Sequence, residues 1–172
     1  MWVSGSGTVS TIAVMDAYVE RLIAGLDGIG RGALEPLRIG WDAGNGAAGP
    51  VIEALTARLP GQHVLLYTKV DGHFPNHHPD PTVEANLADL AVAVVARNLD
   101  FGFAFDGDGD RIGAVDARGR TIWGDQLLAI LAEDLLKIWP GATILADVKA
   151  SGALFRRIAD LGGVPQMWKT GH

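Results

Sequence analysis

The stretch Phe101-Gly-Phe-Ala-Phe-Asp-Gly-Asp-Gly-Asp-Arg111 joins an apolar run to a row of alternating acidic residues. Its first five residues predict a short buried strand, because aromatic residues favour strands. Asp106, Asp108 and Asp110 follow at every second position. Alternate side chains of an extended segment point the same way, so we expect the three carboxylates to face one point.

Crowded carboxylates repel one another, and a cation between them removes that repulsion. Their hard oxygen atoms suit Mg²⁺ or Ca²⁺ better than a soft metal. Mg²⁺ is usually held by few protein carboxylates together with phosphate oxygens, so the row predicts a magnesium site used in phosphoryl chemistry. The plainer interpretation is an acidic surface turn, with Arg111 as its counter-ion.

A calcium EF-hand also begins with alternating acidic residues. If Asp106 were its first position, Arg111 would stand where that loop needs Gly and Ala117 where it needs Glu. The flanking segments are predicted to be a strand and a hairpin rather than two helices. The EF-hand interpretation is therefore excluded.

The flanking sequence alternates between predicted strands and helices. This pattern indicates an α/β fold: a three-layer domain with a mixed, largely parallel sheet between helices. Ligands of such sheets bind beyond the carboxyl ends of strands, where the acidic row lies. We expect residues 1–11 to be a flexible segment, residues 12–168 to be one domain and residues 169–172 to begin a link to another domain. The strands are predicted at residues 37–42, 64–69, 101–105, 112–115, 121–123, 143–147 and 164–168, and Thr82 is expected to cap the helix that follows it.

Composition excludes several classes of protein. The 172 residues include 14 Lys and Arg against 20 Asp and Glu, a net charge of −6, without a basic cluster, so we expect no nucleic-acid partner. No apolar stretch is long enough to span a bilayer and no signal peptide is recognisable, so we expect no membrane association and a cytoplasmic location. The absence of cysteine excludes disulfides and thiolate metal sites.

Four stretches, in this order, resemble the α-D-phosphohexomutase family, in particular its bacterial phosphomannomutase/phosphoglucomutase branch. The resemblance covers residues 12 to 172 and is closest to the second, metal-binding domain. The matching stretches are Asp42-Ala-Gly-Asn-Gly46, Asp71-Gly-His-Phe-Pro-Asn-His-His-Pro-Asp-Pro81, Phe103-Ala-Phe-Asp-Gly-Asp-Gly-Asp-Arg111, and Asp147-Val-Lys149 with Trp168-Lys-Thr-Gly-His172.

The resemblance implies an enzyme that interconverts hexose 1-phosphate and hexose 6-phosphate through a bisphosphate. In such an enzyme the acidic row holds Mg²⁺, which also contacts a phosphoserine oxygen. Arg111 would be catalytic and would bind sugar or phosphate, and Lys149 would act in proton transfer. Lys169 and His172 would contact the sugar, a phosphorylated mannose or glucose.

The chain also departs from the family pattern. The serine loop Thr-Ala-Ser-His-Asn-Pro and the sugar loop Gly-Glu-Met-Ser-Gly-His have no counterpart in these residues. We therefore expect a fragment that is inactive alone and whose partners are the missing domains of the same enzyme. Apolar surface left by those domains could promote a dimer of the fragment.

Two other interpretations remain open. Gly44-Asn-Gly-Ala-Ala-Gly49 fits a dinucleotide fingerprint, with Asp71 near the place of a ribose-binding acid. The chain could also be a stand-alone phosphosugar-binding module. His73, His77 and His78 could bind a ligand, although histidines of such a proline-rich loop more often bond to backbone.

Overall fold

A computed structural model of the chain describes residues 5–171, which form five helices and seven strands. The helices are α1 (Met15–Ala24), α2 (Gly49–Thr56), α3 (Ala88–Ala96), α4 (Gly124–Ile138) and α5 (Gly152–Asp160). The strands are β1 (Arg38–Asp42), β2 (Gln62–Leu66), β3 (Phe101–Phe105), β4 (Ile112–Asp116), β5 (Thr121–Ile122), β6 (Thr143–Asp147) and β7 (Val164–Trp168). Short 3₁₀ turns lie at Arg31–Ala33 and Glu84–Leu87. None of the helices in this part of the chain is both long and apolar enough to cross a membrane.

Five strands form a mixed sheet in the order β2-β1-β3-β4-β5. Strand β1 is parallel to both of its neighbours, whereas β4 is antiparallel to both of its own. The register pairs Asp42 with Ala104, so β1 and β3 end at the same edge of the sheet. The predicted α/β fold with a mixed sheet between helices is confirmed.

Successive side chains of a strand point to opposite faces, so the two faces of this sheet differ in their residues and pack against different helices. The aromatic residues of β3 face α2, where they pack against Trp41 and Ile52. The opposite face is made of small residues, so α3 lies close to the strands. A Cβ added to Gly102 would be 2.7 Å from the Leu90 side chain. The core under α3 consists of Leu87, Leu90, Val94, Leu99, Ala104 and Val115.

Strands β6 and β7 do not join this sheet, in contrast to the single sheet expected from the alternating pattern. They pair with each other in parallel and form a second sheet. Helices α4 and α5 cover it with a separate core, made of Ala132, Leu136, Ile144, Leu154 and Ile158. Met167 and Trp168 of β7 are more than half exposed. The described residues therefore form two units, each with its own sheet and core.

Two local predictions differ from the structure. Strand β2 covers Gln62–Leu66 rather than residues 64–69, because Tyr67 has a φ of 53° and the extended backbone ends before it. Thr82 does not cap a helix; its hydroxyl donates to Asp80 Oδ1 at 2.7 Å. Helix α3 begins only after the 3₁₀ turn Glu84–Leu87.

Candidate metal centre

The acidic residues form the connection of a β-hairpin. Strands β3 and β4 are antiparallel, and their last ladder pair is Phe105 with Ile112, so residues 106–111 turn the chain. Gly109 lies in the left-handed region at a φ of 80°, and its N–H donates to the Asp106 carbonyl at 3.2 Å. A side chain would strain that conformation, which explains the glycine.

The three carboxylates converge as the alternating spacing predicts. One ligand oxygen each from Asp106, Asp108 and Asp110 lies within 4.8 Å of the other two. Oxygen ligands of Mg²⁺, at about 2.1 Å from the ion, lie roughly 3–4 Å apart. A spacing within 4.8 Å is compatible with three oxygens around one hard divalent cation. Asp106 is buried and the other two are exposed, which leaves solvent-facing positions for further ligands.

Asp106 is anchored by its neighbour Arg111. Its Oδ1 accepts the Arg111 backbone N–H at 3.0 Å, and its Oδ2 accepts Nε at 2.7 Å. Burial alone raises the pKa of Asp106, but these hydrogen bonds from Arg111 outweigh it, so the pKa lies below the usual range. Asp106 is thus held ionised at neutral pH.

Asp110 shows the opposite effect. Its hydrogen bond with the Asp106 carboxyl, and the nearby charges of Asp108 and Asp106, raise the pKa of Asp110 above its ordinary value. A raised pKa at an exposed carboxyl means that its ionised form is disfavoured by like charge. The loop therefore has more negative charge than its own arginine balances, which is the electrostatic condition for binding a cation.

Arg111 is a counter-ion of several carboxylates at once. Besides Asp106, its Nη1 lies 3.2 Å from Asp80 Oδ1 and its Nε lies 3.7 Å from Asp110 Oδ1. Its side chain is still 54% exposed. The arginine is thus a counter-ion of the acidic turn, as the plainer interpretation predicts, and it still has N–H donors exposed for a ligand.

The glycines after β1 serve close packing rather than an open phosphate loop. A Cβ on Gly46 would lie 2.7 Å from the Gly107 carbonyl oxygen, and one on Gly49 would lie 1.9 Å from that of Thr68. The space that a pyrophosphate needs is filled by backbone of the same chain. Asp71 accepts hydrogen bonds from His73. The dinucleotide interpretation therefore has no support from the geometry.

A cleft of about 810 Å³ separates the hairpin from the second unit. Arg111 and Lys149 both line it, together with Trp123 and Asp147. Lys149 follows β6, and its N–H donates to Asp147 Oδ1 at 2.8 Å. The structure thus places two cations on the lining of one cavity that is large enough for a sugar phosphate.

Lys169 lies in the loop after β7, at the same end of the second sheet as Lys149, because Asp147 pairs with Trp168 in the ladder. Thr170 ties the two loops together by donating to Asp147 Oδ2 at 3.0 Å. Within residues 5–171, Lys169 is not among those that line the cleft. The predicted sugar contact of His172 lies outside the described residues.

Two features of the site were not predicted from the sequence. Asp80 binds Arg111, and the buried Asp42 pairs with the partly buried His77, whose Nε2 lies 2.9 Å from Asp42 Oδ2. The only available signal was the position of Asp42 at a strand end, next to a rigid proline-rich loop. Within the described residues, the acidic row is the one metal-type cluster found, and the histidines of that loop are not part of it.

Comparisons with known proteins place this geometry in a family. Residues 16–119 match the phosphoglucomutase/phosphomannomutase alpha/beta/alpha domain II, and residues 123–172 match domain III of the same family. The boundary falls between the two units of the structure. The single second domain predicted over residues 12–168 instead runs across this boundary.

Relatives agree with these matches. The chain is 43% identical over 169 residues to a phosphomannomutase/phosphoglucomutase of Pseudomonas aeruginosa, covering 98% of this chain and 35% of that protein. It is 39% identical over 171 residues to a phosphomannomutase of Salmonella typhimurium, covering 96% and 37% of the two chains. The crystal structure of a phosphoglucomutase/phosphomannomutase family protein from Burkholderia thailandensis has a TM-score of 0.85 and 44% identity, covering 98% of this chain and 36% of that one.

The chain spans about a third of the length of these relatives. The first unit matches domain II of the family and the second unit matches domain III, so the domains occur in the family's order. The acidic hairpin loop belongs to the first matched domain, and Lys149 to the second. On this evidence the chain belongs to the phosphoglucomutase/phosphomannomutase family.

Proposed function

We propose that this chain supplies the metal loop and part of the substrate cleft of a phosphohexomutase, which interconverts hexose 1-phosphate and hexose 6-phosphate through a bisphosphate. The observation that carries the proposal is the convergence of Asp106, Asp108 and Asp110 beside a cleft lined by Arg111 and Lys149. The ion we propose is Mg²⁺, since three carboxylates with open positions suit it. When bound, such an ion offsets negative charge on a transferring phosphoryl group.

Arg111 is proposed to orient a phosphate or sugar hydroxyl. Its Nε is used by Asp106, but the exposed side chain offers further N–H donors toward the cleft. The fixed fork of a guanidinium suits a phosphate group, which accepts two hydrogen bonds at once. The two aspartates that hold the arginine, Asp80 and Asp106, also fix the direction in which that fork points.

Lys149 is proposed to move a proton to or from a sugar hydroxyl. It lies in the loop between β6 and α5 and lines the same cleft as Arg111. Lys169 and His172 are proposed to contact the sugar from the neighbouring loop. The phosphoserine, and the remaining contacts to a mannose or glucose phosphate, are proposed to come from other parts of the same enzyme.

Calorimetric titration of Mg²⁺ into the chain tests the metal assignment. We expect binding of about millimolar strength, because no phosphate oxygen completes the site. The variant Asp108→Ala should weaken binding at least about tenfold, since one of three carboxylate ligands is lost. Asp108 is exposed, so its replacement should leave the fold intact.

A matched control is Asp134→Asn, which removes an exposed carboxylate on α4 that pairs with Lys137. Its Mg²⁺ affinity should equal that of the unmodified chain. Equal weakening in both variants would mean that only the net charge matters. That result would refute a specific site in the hairpin loop.

A further inference from the structure

A carboxylate–imidazole pair with a buried carboxylate lies outside the proposed metal cluster. Asp42, at the end of β1, is fully buried, and His77 of the loop 71–81 is 12% exposed. Asp42 Oδ1 accepts the Gly44 N–H at 2.8 Å, and its Oδ2 lies 2.9 Å from His77 Nε2. Both carboxylate oxygens are therefore used inside the protein.

The hydrogen bonds define how many protons the pair holds. His77 Nδ1 lies 3.0 Å from the His78 carbonyl oxygen, which can only accept, so this nitrogen carries a hydrogen. A second hydrogen must lie between Nε2 and the Asp42 oxygen, because two lone pairs would repel. The unit is therefore neutral as a whole, and a neutral, fully bonded pair is the form that burial tolerates.

The pair joins a turn and a loop that each contain a left-handed backbone position. Asn45 of the turn and Phe74 of the loop have φ values of 61° and 47°, and for a bulky aromatic residue such an angle is rare. Such a backbone persists only where its surroundings determine it strongly. Asn45 contributes further ties, since its Oδ1 accepts the Asn76 side-chain N–H at 2.7 Å and its Nδ2 donates to the Lys69 carbonyl at 2.8 Å.

The same turn and loop contact the metal loop directly. The Ala47 N–H donates to the Gly107 carbonyl at 2.9 Å, one residue after Asp106. From the other side, a Cβ added to Gly107 would lie 3.6 Å from Pro79 and 3.8 Å from Phe74. The acidic hairpin loop is thus held between the turn that Asp42 begins and the loop that carries His77.

We propose that Asp42 and His77 are positioning residues for the metal loop: their partly buried hydrogen bond joins the turn 42–47 to the loop 71–81, and these two segments set the spacing of the three carboxylates. The inference rests on the proposed function of those carboxylates. Groups that support metal ligands without touching the ion commonly change its affinity about 10–100-fold.

Binding of Mn²⁺ to the full chain, followed by electron paramagnetic resonance at a temperature where each variant is folded, tests this role. His77→Leu should weaken Mn²⁺ binding about tenfold, since Asp42 loses its partner. His77→Gln keeps a side-chain N–H directed at Asp42 and should restore most of the affinity. The control His73→Leu changes a 97% exposed histidine of the same loop and should leave binding unchanged.

The outcomes separate this inference from the proposed function. If the unmodified chain binds no Mn²⁺, the proposed function of the loop fails and the positioning role fails with it. If the unmodified chain binds Mn²⁺ and folded His77→Leu binds it equally well, only the positioning role is refuted.

Should His77→Leu not fold, the unmodified chain supplies the deciding measurement. Coupling between two parts of a protein is reciprocal, so a bound ion must in turn stabilise the turn that positions its ligands. Saturating Mg²⁺ should slow amide hydrogen exchange at Asn45 and Ala47 more than at Val115, a core residue of the same sheet. Equal changes at all three amides would overturn the inference.

Discussion

At the scale of single residues, Asp110 illustrates the conflict between stability and function in the acidic loop. Its pKa is raised by its hydrogen bond with Asp106 and by the charge of Asp108, so the loop is disfavoured when all three carboxylates are ionised. We expect Asp110→Asn to raise the melting temperature of the metal-free chain and to weaken Mg²⁺ binding at least about tenfold. Thermal melts with and without Mg²⁺ measure both effects.

Asp134→Asn is again the matched control, because the Asp134 carboxylate pairs with the cation Lys137, whereas the Asp110 carboxylate lies beside other carboxylates. It should not raise the melting temperature. If both variants melt at the same temperature, repulsion within the loop is too weak to matter.

Asp116 provides a prediction on pH dependence. It accepts hydrogen bonds from the Arg120 side chain and backbone and from the Arg118 N–H, which lower its pKa to about 2. Its ordinary value is about 3.9, so its contribution to stability is present above that pH and is lost as the pH falls toward 2. We expect Asp116→Asn to be less stable at pH 7, with the difference shrinking between pH 4 and pH 2.

Urea unfolding at a series of pH values measures this difference directly. A gap between Asp116→Asn and the unmodified chain that stays constant down to pH 2 would contradict the assigned hydrogen bonds. Asp134→Asn serves once more as the reference for loss of an exposed carboxylate.

At the scale of elements, a glycine after β1 allows α2 to contact the backbone of the loop after β2. A Cβ on Gly49 would lie 1.9 Å from the Thr68 carbonyl oxygen, so Gly49→Ala must push α2 away from the loop after β2. Overpacking of this kind costs about 1–3 kcal/mol or more. Chemical denaturation should show this loss, whereas Gly28→Ala, with open space around its Cα, should stay close to the unmodified chain.

Leu90 is the α3 side chain that packs over the glycines of both β1 and β3. Leu90 is fully buried, and its methyl group occupies the space above Gly40 and Gly102. We expect Leu90→Ala to lower the free energy of unfolding by about 2–5 kcal/mol through the cavity it leaves. Val92 of the same helix is 67% exposed, so Val92→Ala should lower the free energy of unfolding much less. Similar losses in both variants would contradict the packing described for this face.

Much of the secondary structure could be predicted because its signals are local. Strands β3, β6 and β7 were predicted at their observed residues, since each is a short run of mostly apolar residues. Their assembly could not be predicted, because the pairing of β6 with β7 alone depends on contacts between distant residues. The end of β2 was missed for a related reason: the left-handed backbone of Tyr67 is imposed by its surroundings.

The metal loop is the part of the site that the sequence predicted best. Spacing alone placed Asp106, Asp108 and Asp110 together, and the structure brings their oxygens within 4.8 Å. Its supports were not recognised, because Asp42, His77 and Asp80 lie on segments that meet only in the folded chain. Local patterns therefore indicated the candidate ligands but not the residues that hold them.

At the scale of the whole molecule, the two units should unfold separately. Each has its own sheet and its own core, and the core of the second unit centres on the fully buried Ile158. Separate cores favour separate transitions. We expect calorimetry to resolve two transitions and Ile158→Ala to lower only the one that belongs to the second unit, by roughly 4–10 °C or more.

The chain has five tryptophans, so variants that keep only Trp41 or only Trp168 distinguish the units by fluorescence, since Trp41 lies in the first core and Trp168 on β7. The Trp41 fluorescence should not change during the transition that Ile158→Ala shifts, because that transition belongs to the second unit. A single transition that shifts as a whole would mean that the two units unfold as one cooperative body.

The ladder pair that closes the acidic hairpin limits how this segment can evolve. Phe105 faces Ile112 across the last rung, so residues 106–111 form a link of fixed length between two clamped ends. One inserted or deleted residue would have to be absorbed by a different turn or by a one-residue shift of β4, and such a shift would turn every side chain of β4 to the opposite face of the sheet. We therefore expect members of this family to keep the length of this link as strictly as its three carboxylates.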